Sequence, residues 1–215
     1  MILSKNDIER LQVGQLFDLA KFVVIENFKH HTNPANPLDY ENEINCIFEE
    51  ELNYFENAQV FVSRDYHESI IGSIRVLKWN YLDTLPLQKI FNINPFLLSG
   101  GNHDQSIWHI GRFAIRKSIG NIILFKQLMV CAIVPICNDN NAIVYAECDS
   151  KLLKILPSIG INARRIGNSV YYLGSETIPI FMTYDDLIGF YNKNKSLASK
   201  NFLDQNVVDR NHQKV

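Results

Sequence analysis

The stretch WHIGRFAIRKSIGNIILFKQLM, residues 108–129, changes period halfway along. Up to Ile115 it is β-branched and aromatic, as a buried strand is, and from Asn121 it becomes an apolar run of helical length. Between the two lies Arg116-Lys117-Ser118-Ile119-Gly120-Asn121, a basic step containing glycine. A strand that feeds a helix through such a step puts unpaired backbone N–H groups, the positive end of the helix dipole and cationic side chains together, which suits an anion.

The rest of the chain says that such an anion must be held locally. With 21 basic against 23 acidic residues among 215, and a net charge of -2, there is no basic excess to mark a nucleic-acid partner or an anionic membrane surface. The longest apolar run, Ile119 to Cys137, contains Lys126, Gln127 and Pro135, and reads as a buried helix rather than an integral membrane segment. Charges interrupt MILSKNDIERLQ, so the N-terminus is no secretory h-region. Cys46, Cys131, Cys137 and Cys148 lie in apolar sequence without a C-x-x-C pair, and read as reduced core thiols of a cytoplasmic protein.

Outward from the opening stretch, periodicity predicts a helix from Asn6 to about Phe28 and a turn-rich loop, HHTNPANPLDYEN. A second helix follows from about Tyr40 to Phe55, its acidic face opposite Ile44, Ile47, Phe48 and Leu52. AQVFVSRD and ESIIGSIRVLKW form a hairpin turning at Tyr66-His67-Glu68, with Gly72 marking a bulge or a close backbone approach. PLQKIF is a short helix. After the long helix come a strand AIVYAEC, a helix SKLLKILPSIG ending at Gly160, a strand pair from INARRIG and SVYYLGS, a last strand PIFMTY and a helix YDDLIGFYNKN. The order is α+β, with helices packed on both faces of one mostly antiparallel twisted sheet. Residues 1–194 read as one domain and 195–215 as a polar tail that frays.

Four pieces, Gly72-x-x-Arg75, Arg112-Phe113 followed by the long helix, Arg165-Ile166-Gly167 after a lone helix, and YYLGSETIPIF, resemble the GNAT superfamily of N-acyltransferases. Within it the likeness is greatest to the branch of acyl-homoserine-lactone synthases and long-chain N-acyl amino acid synthases, over about Asn6 to Tyr191. The resemblance implies a GNAT-like fold in which the strand before the long helix splays from its neighbour. It also implies an acyl donor, acyl-CoA or an acyl carrier protein, held as a phosphopantetheine thioester by Phe113, Ala114, Ile115, Arg116, Lys117, Gly120 and Asn121. The superfamily's phosphate loop is degenerate here, one residue out of step and ending on Asn121. No metal or redox cofactor is implied, and no histidine spacing matches a zinc site.

For the chemistry, the candidate catalytic residues are His109, Arg112 and Glu147. Arg112 interrupts an apolar strand and needs a protein carboxylate or a substrate anion; alternation groups it with Ile110 and Ala114. A family glutamate is replaced by His109, which is either a general base or a hydrogen-bonded half-buried side chain. Failing His109, Glu147 or Asp149 is the proton acceptor, though either also suits a helix cap. Arg75 either anchors the substrate loop through Asp39, Glu41 or Glu43, or is a surface residue; Arg75 and Asp39 are the substrate-binding candidates. Tyr171 and Tyr172 read as packing residues. Ile123, Leu124 and Leu128 either line the acyl cleft or are core. Arg116, Lys117, Lys126, Arg164 and Arg165 are candidates for a carrier-protein patch.

The function implied is acyl transfer to the amine of an amino acid or similar small molecule. HHTNPANPLDYENE lacks the tryptophan expected of a synthase that uses S-adenosylmethionine. A conventional acetyl-CoA-dependent N-acetyltransferase and a catalytically silent binding module are the alternatives.

Overall fold

The computed structural model describes residues 8–31, 40–102 and 104–198, with the backbone alone for His31. The chain opens with a short strand, β1 (Ile8–Arg10), before helix α1 (Leu16–His31). Sequence periodicity starts this helix at Asn6. The strand wins there because β1 pairs antiparallel with β2 (Ala58–Arg64), and Leu11 closes onto the carbonyl of Val60. Helix α2 (Glu41–Tyr54) lies between them in sequence and buries Ile44, Ile47 and Tyr54, together with Glu51.

Strand β2 turns into β3 (Ile70–Lys78) through residues 65–69, where the Asp65 carboxylate accepts from the His67 and Ser69 amides. Helices α3 (Pro86–Phe91) and α4 (Pro95–Leu98) each start on a proline, which fits a first helical turn. Strand β4 (Ile107–Ile115) leads into helix α5 (Ile122–Ile133), and β5 (Ile143–Asp149) into α6 (Ser150–Ile155). The chain ends, as described, with β6 (Arg164–Arg165), β7 (Val170–Tyr172), β8 (Ser175–Thr183) and helix α7 (Tyr184–Asn194).

The sheet runs β1-β2-β3-β4-β5-β8-β6, with β7 also on β8. All pairings are antiparallel except β4 with β5. INARRIG and SVYYLGS therefore do not pair with each other: both lie along β8, because Leu173 and Gly174, each at positive φ, turn β7 tightly back onto it. Helices α5 and α7 cover one face over Ile74, Val76, Ile110 and Met182. Helices α1 and α2 cover the other, over Val60 and Val62. Gly72 lies under α5, where a Cβ would sit 3.0 Å from Leu128 and 3.2 Å from Leu124, and the register of β2 against β3 shifts beside it, so it marks a bulge as well as a close approach.

Cys131, Cys137 and Cys148 are buried, as expected, but Cys46 is exposed on α2. Among the described residues no helix is long and apolar enough to cross a membrane. Residues 199–215 lie outside the described residues.

Candidate active site

Two irregularities in β4 build the site. The first is a bulge. Ala114 is opposite Ser73 and Gly111 opposite Arg75, so Arg112 and Phe113 together face Ile74. Arg112 takes φ +52°, a conformation costly for a side chain with a Cβ, and the Ser73 hydroxyl donates to its carbonyl at 2.8 Å. Strict alternation puts Arg112 with Ile110 under α5. The bulge instead turns it to the α2 face, while Phe113 joins Ile110 and packs edge-on against Phe125 of α5.

The second irregularity is the parting of β4 and β5. They pair from Ile107–Ile143 to Ile110–Ala146 and no further, although both strands continue. The Arg116 amide donates to Ile71 across β3, so the peptide groups of Ile115 point the other way, into the gap. His30 at the end of α1 meets the Ile115 carbonyl at 3.1 Å. The gap opens a cleft of about 460 Å³ that runs from Gly120 and Asn121, past Glu147, to Pro86 and Ile90 of α3.

All seven residues expected to hold the donor line this cleft. The basic side chains, however, are occupied by the protein. Arg116 donates to Asp65 at 2.7 Å and to the Ile70 carbonyl, and Lys117 Nζ to the Lys29 carbonyl. Asn121 caps α5 by accepting from the Ile123 amide at 2.8 Å. What this end offers an anion is therefore backbone and helix dipole rather than free cations. The apolar wall is Ile122, Phe125, Leu152 and Ile155. Leu124 and Leu128 are core side chains under β3, and Ile123 is exposed outside the cleft, so that stripe does not line it.

Deeper in lies a chain of charged side chains. Arg75 is fully buried, which rules out a surface role. Its Nη1 donates to Glu51 at 2.5 Å, and its partner is thus α2 and not the preceding loop; Asp39 lies outside the described residues. Arg112 donates to the same Glu51 oxygen at 2.7 Å and to Glu50 at 2.5 Å. Burial works against ionisation of Glu50, but Arg112, Arg75 and Lys89 outweigh it and hold its carboxyl below the usual range. The same two glutamates push the Arg112 guanidinium up against the opposing effect of its own burial.

The buried His109 continues the chain. Arg75 Nη2 lies 3.0 Å from His109 Nδ1, and His109 Nε2 lies 2.8 Å from Glu147. A guanidinium can only donate, so Nδ1 accepts and the proton is on Nε2, which donates to Glu147. Both ring nitrogens are engaged by the protein, which leaves no lone pair for a substrate amine. Glu147 lines the cleft. Asp149 is spent as the N-cap of α6, accepting from Leu152 at 2.6 Å.

Gly111 sits inside this cluster: a Cβ there would be 3.0 Å from both Arg75 Nη2 and His109 Cε1. Tyr172, expected to be a packing residue, also lines the cleft, and burial raises its hydroxyl against the opposing pull of Arg112. Tyr171 is exposed and turns back to the Gly174 carbonyl. Burial pushes the Cys148 thiol in the cleft wall up to about 12, too high for a thiolate nucleophile near neutral pH. Arg164 and Arg165 lie on β6, beyond β8, with Arg164 paired to Asp186, away from the cleft lining. Among the described residues no group of three His, Cys, Asp or Glu side chains is placed to hold a metal ion.

Sequence reasoning missed Glu50 and Glu51 as partners of the arginines. Their signal was present: Glu51 interrupts the apolar face of α2 between Ile47 and Tyr54.

No family model and no curated protein matches the sequence. Solved structures do match its fold. FeeM, an N-acyl amino acid synthase from uncultured soil microbes, aligns with a TM-score of 0.54 at 12% identity, over 82% of this chain and 94% of its own. A GNAT-family acetyltransferase from Staphylococcus aureus gives 0.53 at 14%, over 83% and 98%. The AHL synthase LasI gives 0.52 at 14%, over 86% and 93%. The fold is the GNAT fold, as the resemblance implied, and it is shared with both kinds of synthase and with acetyltransferases.

Proposed function

We propose that the protein is an N-acyltransferase that moves an acyl group, a long one by preference, from an acyl carrier protein or CoA thioester to a primary amine. The observation that carries this reading is the parting of β4 and β5 beside Glu147, which sets a free strand edge and a carboxylate on one cleft. The thioester carbonyl lies against the strand edge at Phe113 to Ile115, where an N–H stabilises the developing oxyanion. Its phosphopantetheine arm runs toward Gly120 and Asn121, and its acyl chain follows the wall at Ile122, Phe125, Leu152 and Ile155.

The acceptor ammonium gives one proton to Glu147 and becomes the nucleophile. The C–N bond forms and the C–S bond breaks; the thiolate leaves as thiol by taking a proton from Tyr172, whose burial keeps its hydroxyl protonated, and the second proton lost by the nitrogen restores that hydroxyl. His109 is a positioning residue: Arg75 fixes its tautomer, and its Nε2–H orients the Glu147 carboxylate. Direct attack needs no acyl-enzyme, in keeping with the protonated Cys148. Arg112 holds the acidic end of α2 against β4 and thereby shapes the acceptor end.

Acyl-CoA, acyl carrier protein and acetyl-CoA are compared as donors by thermal shift, followed by mass analysis of products with pooled amines and amino acids. Stabilisation by long-chain thioesters with an N-acylated product is the expected result. Stabilisation by acetyl-CoA alone makes the protein a conventional acetyltransferase, and no response to any thioester overturns the activity.

A further inference from the structure

The acceptor end of the cleft can be read for charge. It contains two arginines, Arg75 and Arg112, and both are neutralised from within. Glu51 accepts from each, and Glu50 accepts from Arg112 while also pairing with Lys89 at 3.2 Å. Beyond them His109 is neutral, because its Nδ1 accepts from Arg75 and its one N–H is directed at Glu147. Glu147 is therefore a carboxylate facing the cleft with a neutral partner behind it, while Arg75, Arg112 and Lys89 are matched by Glu50, Glu51 and Glu147 in number.

Among the described residues no lysine or arginine is paired with Glu147. Helix α3 packs against β5 and β7, and brings apolar Pro86 and Ile90 into the same lining as Glu147 and Tyr172. The other cations along the cleft are Arg116 and Lys117, already bonded to Asp65 and to backbone carbonyls, and Lys151, exposed at the start of α6.

From this arrangement we infer that the acceptor is a primary amine carrying no carboxylate, an alkyl- or arylalkylamine whose ammonium meets Glu147 and whose apolar body packs on Pro86, Ile90 and the Tyr172 ring. This rests on the acyl-transfer reading above. An amino acid would bring its carboxylate beside Glu147, like charge at close range, with both buried guanidinium groups already bonded to Glu50 and Glu51. An amine of the same skeleton brings only the cation that Glu147 attracts.

The test uses matched pairs, tyramine with tyrosine and isobutylamine with valine, each offered with long-chain acyl-CoA and with long-chain acyl carrier protein. The amine of each pair is expected to show the higher kcat/KM by on the order of a hundredfold, since the amino acid's carboxylate is left unpaired. Equilibrium binding gives a second readout: Glu147→Gln is expected to weaken amine binding about tenfold or more and to leave tyrosine binding unchanged or stronger, with thermal stabilisation by the donor retained. Equal or better use of the amino acids overturns the inference and leaves acyl transfer standing. Amine binding unmoved by Glu147→Gln also overturns it. Absence of any acylated product with every donor overturns the acyl-transfer reading itself.

Discussion

The two ends of the cleft are built from different materials. The outer end, from Phe113 to Asn121, works through backbone: an unpaired strand edge, a helix N-terminus and a turn with Gly120 at φ +50°. The inner end works through side chains, a buried chain from Glu50 and Glu51 through Arg112, Arg75 and His109 to Glu147. Backbone recognition survives changes of side chain, which is how the degenerate loop 116–121 can keep its place beside the cleft. A buried ion-pair network does not, because removing one member strands its partner in a low dielectric. The outer end should therefore tolerate substitution, and the inner end should fail at single atoms.

The sharpest separation of chemistry from stability is expected at Glu147. Replacing it with Gln keeps the His109 hydrogen bond and removes the proton acceptor, so turnover should fall roughly 10²- to 10⁴-fold with the melting temperature nearly unchanged; a variant that keeps its rate places the base elsewhere. Arg75→Met should act on folding instead. It leaves Glu51 buried beside a single arginine, and urea unfolding should show a loss of about 3–5 kcal/mol. Gly111→Ala pushes a methyl group against Arg75 and His109, and the same measurement should show about 1–3 kcal/mol.

Acid should attack the inner end first. Glu50 is depressed below its ordinary value of 4.5 in the folded protein, so its contribution is fully present above that pH and is lost as pH falls through the lower folded value. Unfolding followed by circular dichroism should steepen below about pH 4.5 in the native chain and less so in Glu50→Gln. The smallest effect belongs to the outer end: Arg116→Ala breaks a partly exposed pair with Asp65 and should cost no more than about 1 kcal/mol. Loss of donor stabilisation in that variant would break the comparison, since it would make a side chain, not the backbone, the anion's partner.

Much of the architecture was legible from periodicity because each helix and strand buries one face. The apolar run from Ile122 became α5, and Gly72 announced how closely it packs. The site was legible only in parts. Arg112 stood out as a cation in an apolar strand, yet alternation assigned it to the wrong face, since nothing in one strand's pattern announces a bulge set by register against its neighbour. His109 and Glu147 were both named, but which of them can accept a proton depended on Arg75, which is far away in sequence. The N-terminal segment misled for a similar reason: Ile8 and Leu11 suit a helix face as well as a strand, and pairing with β2 decided between them.

By itself the sequence determined the layered α+β order, the strand-to-helix switch at residues 108–129 and the residue types from which a site can be made. Those follow from local spacing, because side chains a few positions apart share a face and a helix needs a cap where it starts. The tertiary structure decided which charges meet. Glu51 is joined to Arg75 and Arg112, and His109 to Glu147, across strands and helices brought together only by folding. Protonation and attraction depend on distances of a few ångströms between such elements and on the loss of water around them, and neither quantity is written in local spacing.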